Sequence, residues 1–181
     1  MKFRSILVGF VAALVLSQSS FAEILRFHEV APGVYRGGQP ANSAEYDELQ
    51  ALGVRTIINL RNDASVEAER VEAKLRGIEF ISAPMASFTA PKDETVELAL
   101  SSLSDPGYYP VFIHCKQGKD RTGLVVGLYR VYQQGWKPKA AYKEMRTIGF
   151  NPWLMGLGAY YWWHTVISHH PYAEVSAEAY P

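Results

Sequence analysis

The stretch Pro110-Val111-Phe112-Ile113-His114-Cys115-Lys116-Gln117-Gly118-Lys119-Asp120-Arg121-Thr122-Gly123 decides how this chain is read. Its first half is a short apolar run bounded upstream by Asp105-Pro106-Gly107, the marks of a buried strand. Its second half passes through small and polar residues into a helix predicted from about Thr122 to Gln134. A strand that turns directly into a helix brings several backbone N–H groups and the helix N-terminus onto one small volume, which is a nest for an anion. The same field eases ionisation of a thiol, taking it from about 8.5 into the range of about 3.5 to 7.5. Cys115, at the C-terminal end of the strand, is therefore a candidate thiolate nucleophile, although a lone cysteine is often only a small buried apolar side chain. Arg121, six positions on, can present a planar fork to two phosphate oxygens, a geometry lysine cannot match. Gly118 is expected to permit the tight turn and Gly123 to permit close packing. His114 is expected to orient the loop and tune Cys115, because an ionised thiol needs no base. Its alternative is a core histidine.

Outward from this loop, short β-like runs alternate with helical ones, the pattern of a single α/β domain with a central, largely parallel sheet flanked by helices. Gly33-Val34-Tyr35-Arg36 reads as a strand ended by a Gly37-Gly38-Gln39-Pro40 turn. Asn42 and Glu45 form a capping box for a helix whose apolar face is Tyr46, Leu49 and Leu52, closed by Gly53. Val54 to Leu60 is a buried strand, Ser65 to Arg76 a charged helix, and Ile78 to Ile81 a strand. A loop from Pro84 to Ala90 precedes a helix that starts at Pro91 or Lys92 and runs to about Leu103. After the central helix, two more are expected at about Pro138 to Thr147 and Pro152 to Ser168. Ligands of open α/β sheets bind beyond the C-terminal strand ends, which is where Cys115 stands.

The 181 residues carry 18 basic and 18 acidic side chains, with 48% hydrophobic residues. A formal charge of zero supplies no general grip on a phosphate backbone, which disfavours nucleic acid as a partner. Lys2 and Arg4 precede an apolar run from Ile6 to Leu16, followed by Ser20-Phe21-Ala22. This is the pattern of a secretory signal peptide over residues 1–22, with cleavage between Ala22 and Glu23. The run would rise only about 16 Å as a helix, too little for a hydrocarbon core of about 30 Å. The expectation is a periplasmic or secreted protein without stable membrane association, comprising a catalytic domain over 23–170 and a tail over 171–181. Cys115 is the only cysteine, so no internal disulfide can form.

The pattern His-Cys-x5-Arg-Thr-Gly at 114–123 resembles the signature of the cysteine-dependent protein tyrosine and dual-specificity phosphatase superfamily. The likeness runs from about Val34 to Phe150. Val34-Tyr35-Arg36, Ile58-Asn59-Leu60-Arg61, Tyr129-Arg130 and Gly135-Trp136 are similar to short exported bacterial dual-specificity phosphatases. The resemblance implies that Cys115 attacks phosphorus to give a phosphocysteine. It further implies that Arg121 and the amides of the loop, including Gln117 and Gly118, bind the equatorial oxygens, and that Thr122 eases departure of the thiolate. It implies no cofactor and no metal. The substrate would be phosphotyrosine, and also phosphoserine or phosphothreonine, on a phosphorylated protein.

Those enzymes usually carry an aspartate some thirty residues before the cysteine, but Ala83 to Ala90 contains no acid. Two carboxylates are left as general acid: Asp93, otherwise a helix cap beside Pro91, and Asp120, otherwise half of a salt bridge. An acid directly before the arginine resembles myotubularin-type lipid phosphatases. Lys116 and Lys119 resemble the extra cations of phosphatases acting on inositol lipids, so inositol phosphates or other polyphosphorylated small molecules form the second substrate class. A catalytically weak phosphate-binding module is the reading outside enzymology. A rhodanese-like sulfur transferase would also place a cysteine here, but the Arg121-Thr122-Gly123 spacing favours phosphate. Tyr160-Tyr161-Trp162-Trp163 is expected to pack in the core. His164, His169 and His170 lack the spacing for a zinc site.

Overall fold

Alternation along the strands sends neighbouring side chains to two different cores, and this builds a three-layer domain. The computed structural model describes residues 24–168; the expected signal peptide, the tail over 171–181, His169 and His170 lie outside them. In chain order the elements are β1 (His28–Ala31), β2 (Val34–Gly38), α1 (Ser43–Ala51), β3 (Thr56–Asn59), α2 (Ser65–Leu75), β4 (Glu79–Ser82), α3 (Asp93–Ser104), β5 (Val111–Cys115), α4 (Arg121–Tyr132), α5 (Pro138–Ile148) and α6 (Met155–Trp162), which continues as a π-helical turn, Trp163–Ile167. The sheet order is β1-β2-β5-β3-β4. All pairs are parallel except β1 with β2.

In β5 and β3, Ile113 and Ile58 join the core under α3 to α6, whereas Phe112 and Ile57 face α1 and α2 together with Leu49 and Ala73. The larger core surrounds α4, whose residues from Arg121 to Tyr129 are all buried. Arg130 ties this helix outward: it forks onto Glu144 of α5 at 2.7 and 3.0 Å and donates to the Val30 carbonyl of β1 at 2.7 Å. Asn42 caps α1 as expected, accepting from the Glu45 N–H, while Glu45 accepts from the Ala41 N–H at 2.9 Å.

Several expectations are corrected. Gly37 and Gly38 form no turn; they continue β2 and pair with His114 and Cys115. Side chains are excluded there because Ile24, Phe112 and Leu25 pack directly on the backbone: a Cβ on Gly37 would lie 2.9 Å from Ile24. β1 is an additional strand, invisible in sequence because Val30 alone of its four residues is buried. Leu52 is exposed at the C-terminus of α1. The last helix starts at Met155 rather than near Pro152, because the Asn151 side chain and carbonyl hold Trp153 and Leu154 in a turn. Tyr160 and Tyr161 are core residues, but Trp163 is 53% exposed. Gly123 has room for a Cβ at 3.5 Å from Phe150; the close approach in α4 belongs to Gly127, where an added Cβ would lie 2.5 Å from the Met145 sulfur.

Candidate active site

β5 is the central strand of the sheet, and its last residue, Cys115, stands at the floor of a cleft of about 420 Å³. The cleft is lined by Ser87, Phe88, Lys116, Gln117, Asp120, Arg121, Asn151 and Leu154 as well as Cys115. Among the described residues, no amide from Lys116 to Asp120 donates to a backbone carbonyl. These donors stand at the N-terminus of α4, where the sequence leads one to expect an anion nest. Gly118 has φ +68°, and a Cβ there would lie 2.4 Å from the Gly37 carbonyl carbon, so the turn admits glycine alone.

The thiol is 3% exposed. Burial alone would push it up; the Thr122 hydroxyl and N–H, the Arg121 guanidinium and the Gln117 N–H outweigh burial and hold it below the ordinary thiol value. Arg121 reaches back across the cleft, its Nη1 donating to the carbonyls of Met85 at 3.1 Å and Leu60 at 3.3 Å and to Asn62 Oδ1 at 3.5 Å. Nη2 and Nε make no hydrogen bond among the described residues, so one edge of the fork faces the cleft while the other is anchored.

His114 packs flat on Phe112, with ring centroids 5.5 Å apart. Its Nδ1 lies 3.2 Å from the Cys115 carbonyl and its Nε2 2.8 Å from Glu69 Oε1, both side chains being fully buried. Glu69 Oε2 accepts from Asn59 at 2.5 Å and Gln39 at 2.9 Å. Glu69 escapes a sequence reading because it sits in a charged helix like any solvated glutamate; only the packing of α2 beneath β5 buries it.

The two candidate acids are separated. Asp120 lines the cleft, with Oδ1 accepting the Asn151 N–H at 2.8 Å and Oδ2 4.0 Å from Lys119 Nζ. Asp93 is absent from the cleft lining. It occupies the first turn of α3, accepts from the Tyr160 hydroxyl at 2.8 Å and lies 3.6 Å from His164 Nε2. Lys116 and Gln117 are exposed on the cleft, whereas Lys119 turns aside toward Gly149. Gly118 contributes backbone only. Among the described residues no group of three His, Cys, Asp or Glu side chains could hold a metal ion. Phe88, Leu154 and Asn151 were not foreseen as site residues; an apolar residue in a loop carries no signal of what it will line.

Residues 22–151 match the profile of the tyrosine phosphatase family. The chain is 29% identical over 127 residues to the dual specificity protein phosphatase TpbA of Pseudomonas aeruginosa, covering 70% of this chain and 56% of that protein. It is 36% identical over 118 residues to inositol diphosphatase DSP4 of Arabidopsis thaliana, covering 63% and 59%. The chain thus spans less than two thirds of either relative. The crystal structure of P. aeruginosa TpbA superimposes with a TM-score of 0.66 at 25% identity, over 86% of this chain and 91% of that one. The catalytic domain of the PP-IP phosphatase Siw14 from S. cerevisiae shares the fold, with a TM-score of 0.69 at 21% identity over 84% and 91%. Sequence, fold and a buried thiol sharing its cleft with a half-anchored arginine agree, and the chain belongs to the tyrosine phosphatase family.

Proposed function

We propose that this chain is an exported phosphomonoesterase that hydrolyses phosphotyrosine, and also phosphoserine or phosphothreonine, on protein through a phosphocysteine intermediate. The observation that carries the reading is the Cys115 thiol, in a cleft that Arg121 also lines and held below the ordinary thiol value by the Thr122 hydroxyl and N–H and the Arg121 guanidinium. The thiolate attacks phosphorus, and the P–O ester bond breaks as the loop amides and Arg121 take up the charge of the equatorial oxygens. The departing oxygen takes its proton from Asp120, which lines the same cleft as the thiol. Water then attacks the phosphocysteine, giving its proton to the Asp120 carboxylate, while the Thr122 hydroxyl receives the departing thiolate. Phe88 and Leu154 give the cleft apolar walls suited to an aryl ring.

A second reading, an inositol phosphate or another polyphosphorylated small molecule, is favoured by exposed Lys116 on the cleft and by the inositol diphosphatases among the relatives. The deciding experiment is hydrolysis of an aryl phosphate, a phosphotyrosine peptide and an inositol diphosphate by the chain from Glu23 onward, reduced and with chelator, beside Cys115→Ser. Activity on the peptide that vanishes in the variant supports the first reading. Preference for the inositol compound supports the second. Oxyanion binding without turnover of any ester would leave a phosphate-binding module.

A further inference from the structure

Three consecutive carbonyls of the phosphate loop are held from outside by one segment of chain. The Gln39 N–H donates to the Lys116 carbonyl at 3.5 Å, Arg26 Nη1 to that of Gln117 at 3.1 Å, and Arg36 Nη2 to that of Gly118 at 2.7 Å. A peptide unit whose carbonyl is fixed outward has its N–H fixed inward, so these bonds keep the amides of Gln117, Gly118 and Lys119 aimed into the cleft. Arg36 is the least expected of the three. It is 1% exposed, the largest fully buried side chain, and no carboxylate lies within ion-pair distance of it among the described residues. The charged groups that face it are Glu144 on α5, Arg130 on α4 and Cys115 at the end of β5, and Glu144 is already forked by Arg130. Burial outweighs the opposing pull of Glu144 and Cys115 and leaves the guanidinium lowered to about 10. A buried cation without a paired carboxylate is costly unless another anion compensates it.

We infer that Arg36 is a positioning residue for the phosphate loop: its hydrogen bond fixes the Gly118 peptide and its charge, set behind the loop, offsets the Cys115 thiolate and the bound phosphoryl group. Arg26 completes the clamp from the surface side. The inference rests on the phosphate chemistry proposed above and adds a residue that touches neither substrate nor sulfur.

The test uses the chain from Glu23 onward with inorganic tungstate as probe, bound by calorimetry, together with the pH dependence of Cys115 alkylation by iodoacetamide. Folding is checked by circular dichroism. Arg36→Met should weaken tungstate at least about tenfold and raise the alkylation midpoint by about one unit. Arg36→Lys, which keeps the charge, should bring the midpoint most of the way back. Arg26→Ala should weaken tungstate about threefold with an unmoved midpoint, since its charge is screened by solvent. Folded Arg36 variants that bind tungstate like the parent overturn the inference, as do two that lose affinity equally without moving the midpoint. If Arg36→Met fails to fold, Arg36→Gln takes its place, and parental tungstate affinity with an unmoved midpoint in folded Arg36→Gln overturns the inference. A parent chain that binds no tungstate removes the phosphate reading itself, and this inference with it.

Discussion

Replacing Gly118 by alanine tests the architecture of the phosphate loop most directly. At φ +68° an alanine is strained by about 1 to 2 kcal/mol. Its Cβ would also meet three backbone atoms, the Gly37 carbonyl carbon at 2.4 Å, its oxygen at 2.5 Å and the Gly38 nitrogen at 2.6 Å. Backbone in a paired strand cannot rotate aside, so the loop must retreat from β2 by about 1 Å, with overpacking of about 1 to 3 kcal/mol. Together these give about 2 to 5 kcal/mol, or a Tm lowered by about 4 to 20 °C in a domain of this size. The retreat also displaces the amides that receive the phosphoryl oxygens, and a misplacement of about 1 Å is worth about 100-fold in rate. The control is Gly135→Ala, where φ is +67° but nothing lies within 4 Å of the added atom. It should show the strain alone, with activity unchanged. Thermal unfolding and aryl phosphate hydrolysis on both variants decide the matter. A Gly118→Ala protein with parental Tm and kcat/KM within threefold of the parent would refute the account of the loop.

Four further outcomes are expected. Asp120→Asn keeps an oxygen for the Asn151 N–H but has no proton to give, so it should slow esters of poor leaving groups by about 100-fold or more and activated aryl esters far less. Asp93→Asn should leave that ratio unchanged, and a selective loss there would move the acid to α3. Because the folded thiol titrates below the unfolded one, ionised Cys115 contributes stability that is complete above about pH 8.5 and is lost as pH falls through the folded value. The acid limb of kcat/KM should therefore lie below that pH, and Thr122→Ala should raise it, measured with a substrate that does not titrate in the range. Gly156→Ala would place a Cβ 2.4 Å from the Thr89 carbonyl carbon and push the segment carrying Ser87 and Phe88, so KM for a phosphotyrosine peptide should rise more than that for a small aryl phosphate.

How far the site could be read in advance depended on the separation of its parts along the chain. Cys115, Thr122 and Arg121 were legible because a strand, a five-residue loop and a helix fix their mutual positions locally, and a thiol at a helix N-terminus carries its chemistry with it. The helices over 43–51, 65–75 and 138–148 were legible for the same reason: caps, glycines and prolines act within a turn or two. The choice between Asp93 and Asp120 was not, because it turns on whether the loop after β4 delivers α3 to the cleft or holds it against α6. Structure places Asp93 beside Tyr160 and His164 and outside the cleft lining.

The sequence by itself determined the strand, loop and helix that carry Cys115 and Arg121, the largely parallel sheet and the order of helices, since each follows from hydrophobic period, turn residues and the fixed reach of a short segment. Tertiary structure alone decided what surrounds the loop: the carbonyls of Leu60 and Met85 that anchor Arg121, the Glu69 carboxylate beneath His114, and the Arg36 guanidinium behind Gly118. These partners lie tens of residues away in sequence. They meet because β5 inserts between β2 and β3, and the identity of a glutamate or arginine says nothing of burial until that insertion removes it from water.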